Sequence, residues 1–114
     1  MARTELPETD LRRVAAFCAA MWPPEYHDEV RAEFHVRGMT VTLCELRVPW
    51  DGEGEWMHEP FARLRYRPVT HDWALYWTDR HSRWHEHHEG NVFAGTMARL
   101  LREVAEDPTC IFKG

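Results

Sequence analysis

Apolar residues take every second position from Val30 onward: Val30, Ala32, Phe34 and Val36 alternate with Arg31, Glu33, His35 and Arg37. A period of two sends the two sets to opposite sides of a strand, one toward a core and one toward water or a partner. Residues 39–48, 61–67, 73–78 and 83–87 repeat the strand signal, with turn residues between them. The apolar phase slips between Leu43 and Leu46, which predicts a bulge near Cys44-Glu45.

The strands are flanked by helical patterns. Leu11, Val14, Phe17, Cys18 and Met21 recur at helical spacing after the capping candidates Thr9 and Asp10, and Pro23-Pro24 must end that helix. Near the other end, Val92, Thr96, Met97, Leu100, Leu101 and Val104 fall on one stripe behind Asn91. The chain of 114 residues suffices for one domain, residues 1–114, with a core of its own. The expected fold is α+β: a five-stranded antiparallel meander with an N-terminal and a C-terminal helix packed on one face, in the order α-β-β-β-β-β-α.

Charge and cysteine usage narrow the function classes. The net charge is −5, which disfavours indiscriminate binding to nucleic acid. Residues 61–85 nevertheless hold five arginines (63, 65, 67, 80 and 83) against only Asp72 and Asp79. Cys18, Cys44 and Cys110 are odd in number and widely spaced, unlike a disulfide framework or a zinc knuckle. With no apolar signal region and no run long enough for a bilayer, no membrane role and a cytoplasmic location are the expectation.

Strand registers can be tried on the sequence. Pairing Tyr66 with Trp73 puts Leu64 opposite Leu75; pairing Tyr76 with His85 puts Trp77 opposite Trp84. One side is then apolar and helix-covered. The other collects Arg63, Arg65 and Arg67, then Ala74, Tyr76 and Thr78, then Arg83, His85 and His87, with Arg31, Glu33, His35 and Arg37 from the first strand. An arginine fork grips phosphate or carboxylate, and Tyr or His stacks on flat rings. A face left in water is also charged as a rule, so solvation alone accounts for part of this pattern.

Other chemistry is less marked. His85 and His87 form an H-x-H pair on one strand face, with Glu33 or His35 as the nearest source of a third metal ligand, but no zinc spacing is matched. An acid–base set of Glu45, Tyr76 and His85 requires the bulge to turn Glu45 onto the open face. No nucleophile elbow and no glycine-rich phosphate loop is present in the sequence, and no cofactor is expected.

Several segments carry a family resemblance. Pro60-Phe61-Ala62-Arg63-Leu64-Arg65-Tyr66, Trp73-Ala74-Leu75-Tyr76-Trp77-Thr78-Asp79-Arg80, Arg83-Trp84-His85, Glu45-x-Arg47-x-Pro49 and the closing Asp107-Pro108…Phe112-Lys113-Gly114 resemble the small bacterial proteins grouped as domain of unknown function family 3024. His87 stands where that pattern has an aromatic residue, and Lys113 where it has Trp. The resemblance implies no activity and supplies no catalytic residues. It does pick out Glu45, Arg47, Arg63, Arg65, Tyr76, Arg80 and His85 as matched polar positions, to which the registers add Arg83.

The leading expectation is a non-catalytic binding module whose open sheet face takes an anionic partner: a phosphate-bearing small molecule, a single-stranded nucleic acid or an acidic protein segment. A protein–protein module or homodimer through the same face is the alternative, and a small enzyme or metal protein built on His85, Tyr76 and Glu45 is the third.

Overall fold

Helix α1, Glu8–Met21, starts directly after Pro7 in the computed structural model, which describes residues 6–49, 52–86 and 94–106. No side chain caps it, but Glu8 and Asp10 place negative charge in its first turn, where the helix dipole favours it. The expected caps Thr9 and Asp10 therefore lie inside the helix. Asp10 bonds elsewhere, accepting from the Trp73 indole Nε1 at 2.8 Å. After Met21 the backbone turns extended at Trp22, as Pro23-Pro24 demands, and a single 3₁₀ turn spans Pro24–Tyr26.

Among the described residues six strands follow: β1 (Val30–Arg37), β2 (Thr40–Arg47), β3 (Met57–Arg67), β4 (Asp72–Thr78), β5 (Trp84–Glu86) and the short β6 (Ala94–Gly95). The first five form an antiparallel meander in sequence order, and β6 pairs with the part of β4 that β5 leaves free. Gly38, at φ 60°, makes the two-residue link from β1 to β2, a left-handed conformation that a β-branched residue would strain. Helix α2, Met97–Glu106, closes the described chain. Its N-cap is Thr96, whose Oγ1 accepts from the Arg99 N–H at 3.2 Å, while the expected cap Asn91 lies outside the described residues.

Both helices cover one face of the sheet. Val14 and Cys18 of α1 and Leu100, Leu101 and Val104 of α2 join Val41, Leu43, Leu64, Trp73 and Leu75 in one core. Leu43, Leu64, Leu75 and Leu100 have no solvent exposure, and each contributes roughly 1.5–3 kcal/mol by leaving water. The expected α+β meander with two helices on one face is what the chain adopts.

Two registers decide what the opposite face carries. The β2–β3 ladder shifts between Leu43 and Cys44, where Leu43 faces Ala62 and Cys44 faces Pro60. The extra residue is therefore Phe61 in β3, whereas β2 pairs with β1 without a break. The bulge lies one strand away from its expected place at Cys44-Glu45. Proline lacks a ladder donor, so Pro60 suits a bulge. In the last hairpin Trp77 faces His85 and Tyr76 faces Glu86, a slip of one residue from the expected pairing. That slip exchanges the faces of Trp84 and His85.

Candidate functional site

The open face can be read row by row across the meander. Arg37, Thr40, Arg65 and Ala74 form one row; His35, Thr42, Arg63, Tyr76 and Glu86 form the next. Beyond them come Glu33, Cys44 and Pro60, then Arg31, Leu46 and His58, with Thr78 and Trp84 paired on the far side. Arg67 and Asp72 face each other at the end of β3. Arg31, Arg37, Arg63, Arg65 and Arg67 thus share the face with three carboxylates, Glu33, Asp72 and Glu86. An excess of positive charge gathers here on a chain that is acidic overall.

The arginines are not equivalent. Arg67 is consumed by a bidentate pair with Asp72, at 2.7 and 2.6 Å. That pair, reinforced by Thr70 Oγ1, holds the Asp72 carboxyl down at about 2. Arg31 lays its guanidinium over the Trp56 ring at 4.4 Å. Arg63 donates from Nε to Thr42 Oγ1 at 3.2 Å and lies 4.2 Å over the Trp84 ring, so its plane is fixed by a neighbour on each side. Arg37 and Arg65 have no side-chain partner among the described residues, and both are exposed.

Beside this ladder the sheet opens. The β3–β4 pairing runs from Arg67–Asp72 to Arg63–Tyr76, and the bulge at Phe61 comes next. A hollow of about 460 Å³ lies there, lined by His58, Pro60, Thr78, Arg80, Trp84 and their neighbours. Arg80 has no partner among the described residues and stands at its rim.

The positions singled out by sequence divide. Arg63, Arg65 and Tyr76 lie on the open face as expected, with Arg80 at the hollow. Arg83 immediately precedes β5, and its backbone N–H donates to Asp79 Oδ1 at 3.0 Å. His85 is on the helix side instead: its ring stacks on Trp77 at 4.7 Å and its Nε2 donates to Asp79 Oδ2 at 2.7 Å. Glu45 and Arg47 are also on the helix side, because β2 alternates unbroken and Leu43 of the same set is in the core. They pair with each other at 2.6 Å, and Arg47 reaches over the Trp22 ring. The set Glu45, Tyr76 and His85 therefore does not converge. Tyr76 faces the other way, and β2 and β5 are three strand spacings apart, roughly 14 Å. The partner expected for His85 in metal binding, His87, lies outside the described residues.

Two residues that matter here are not marked by the sequence as part of the open face. The expected register buries Trp84 opposite Trp77, and the observed pairing with Thr78 turns it outward. His58 precedes the residue at which β3 was expected to start, in a stretch whose Glu59 and Pro60 do not look like strand. His58 approaches Glu33 and His35, and the ligand atoms of all three lie within 4.8 Å of one another.

No helix among the described residues is long and apolar enough to cross a membrane. Compared with known proteins, the chain matches the family model described as Domain of unknown function (DUF3024) over residues 1–114. No curated protein and no solved structure matches it.

Proposed function

Given that the chain belongs to the DUF3024 family over its full length, a membership that carries no chemistry, we propose from its own residues a non-catalytic module that binds an anionic ligand on the open sheet face. The observation that carries this reading is the arginine ladder. Arg37 and Arg65 stand in one row, without a side-chain partner among the described residues, next to a row holding Arg63 and Tyr76. Arg63 and Arg65 stand side by side on one face of β3, where like charges repel unless something answers them, and among the described residues neither they nor Arg37 form an ion pair with a carboxylate. Paired guanidinium forks suit a phosphate or carboxylate.

Tyr76, half-buried between Arg63 and Glu86, and Trp84 at the hollow offer rings beside those forks. A phosphate joined to a flat ring answers both features, either as a free nucleotide or as one unit of a single strand. Stacking of one base on such a ring contributes roughly 1–3 kcal/mol.

The test uses fluorescence anisotropy with a short labelled single-stranded oligonucleotide, and calorimetry with a nucleoside monophosphate for the free form. Arg65→Ala is expected to weaken whichever ligand binds while leaving the unfolding temperature nearly unchanged, since Arg65 is exposed. Binding of the strand but not the monophosphate would identify the chain form. Absence of both interactions, or binding indifferent to Arg65→Ala, would overturn the proposal.

A further inference from the structure

We infer that Glu33, His35 and His58 form a binding site for a divalent first-row transition cation, separate from the arginine ladder. Glu33 and His35 are two apart on β1, so both point to the open face, and His58 comes from β3 on the same face. The three side chains converge over β2, which lies between their strands and presents Cys44 and Leu46 there. Three ligands brought together from two non-adjacent strands are a product of the fold, unlike the clustered histidines after Arg80.

The geometry fits such an ion. His35 Nε2 lies 2.9 Å from Glu33 Oε1, and all three ligand atoms fall within 4.8 Å of one another. Metal–ligand bonds of about 2.0–2.2 Å at tetrahedral or octahedral angles hold neighbouring ligand atoms about 2.9–3.5 Å apart, so small side-chain rotations suffice. An imidazole nitrogen and a carboxylate oxygen this close both offer lone pairs that a cation can share.

The natural competitor for Glu33 is absent. Arg31, its neighbour two residues away on the same face, is drawn to the ring of Trp56. Two imidazoles and one carboxylate favour zinc and its first-row neighbours over magnesium or calcium. Three protein ligands also leave at least one position of a tetrahedral ion for water or an incoming group. His58 lines the hollow as well, so that position has a cavity beside it.

The test is titration of metal-stripped protein with zinc chloride, followed by calorimetry and native mass spectrometry. One zinc per chain is expected. His58→Ala and His35→Ala, made in parallel, should each weaken it by more than the roughly 10–100-fold typical of losing an outer-shell partner. Glu33→Gln should act in the same direction. Circular dichroism of the metal-free variants checks that these substitutions leave the fold intact, and zinc should raise the unfolding temperature of the parent far more than that of these three variants. A variant with His81, His87 and His88 all changed to Ala should keep its zinc, as should Arg65→Ala, which separates this site from the anion face. Failure of the parent to bind zinc, or retention of full affinity by His58→Ala and His35→Ala, would overturn the inference. So would loss of the zinc in the triple variant.

Discussion

Asp79 organises the last hairpin with a single carboxylate. Its Oδ1 accepts from the N–H groups of His81 and Arg83, and its Oδ2 accepts from His85. The His85 bond, then the backbone donors, hold its carboxyl down at about 2, and Arg67 does the same for Asp72. Both folded values lie below the ordinary 3.8, so the unfolded chain takes up these protons first and acid favours unfolding. Their contribution is complete above about pH 4 and disappears as the pH falls to about 2. The unfolding temperature, followed by circular dichroism, should drop steeply across that window. Asp79→Asn keeps an oxygen for the turn but removes the titration, so it should lower stability at neutral pH and make the acid limb shallower. A limb as steep as the parent's would mean that other carboxyls dominate it.

The elements differ in how much of them the residues announce. Helix α2 depends on a stripe that can be read directly from Leu100, Leu101 and Val104, all buried. Leu100→Ala should cost about 2–5 kcal/mol in urea unfolding, against about 0.5 kcal/mol or less for Arg65→Ala. Trp73 ties α1 to β4 through Asp10, so Trp73→Phe and Asp10→Ala should be non-additive, with a coupling of roughly 0.5–3 kcal/mol. Additive losses would show that the indole bond is idle. The pairing of Tyr66 with Trp73 and Leu64 with Leu75 was legible because apolar residues alternate on both strands, and only one register buries both sets. The β4–β5 hairpin was not. Trp77, Trp84 and His85 are all ring-bearing, so the pattern does not say which of the last two turns inward; the bonds of Asp79 decide it. The bulge escaped for a related reason. The phase slip in β2 is real, since Leu46 lies on the open face, yet the extra residue belongs to its partner strand. The pattern therefore marks the arginines of the open face but not His58 or Trp84.

At the scale of the whole molecule, an acidic chain presents a face where arginines outnumber carboxylates. The net charge of −5 repels a polyanion at long range, while Arg37 and Arg65 attract one at contact. These two effects respond differently to salt. Long-range repulsion is screened within a Debye length of roughly 8–10 Å at 0.10–0.15 M, whereas release of counterions from a single strand lowers log K by about 0.7 per phosphate for each decade of salt. Because the unpartnered arginines are few, the slope for a short strand should be shallow, about −1 to −2, and Arg65→Ala should reduce its magnitude by about 0.7. Duplex DNA of equal length should bind more weakly, because its bases stay stacked on one another and cannot reach Tyr76 or Trp84. Anisotropy titrations at several salt concentrations measure both quantities. A slope unchanged by Arg65→Ala would locate the phosphate contacts on another surface, and equal affinity for duplex and single strand would remove the aromatic residues from the binding site.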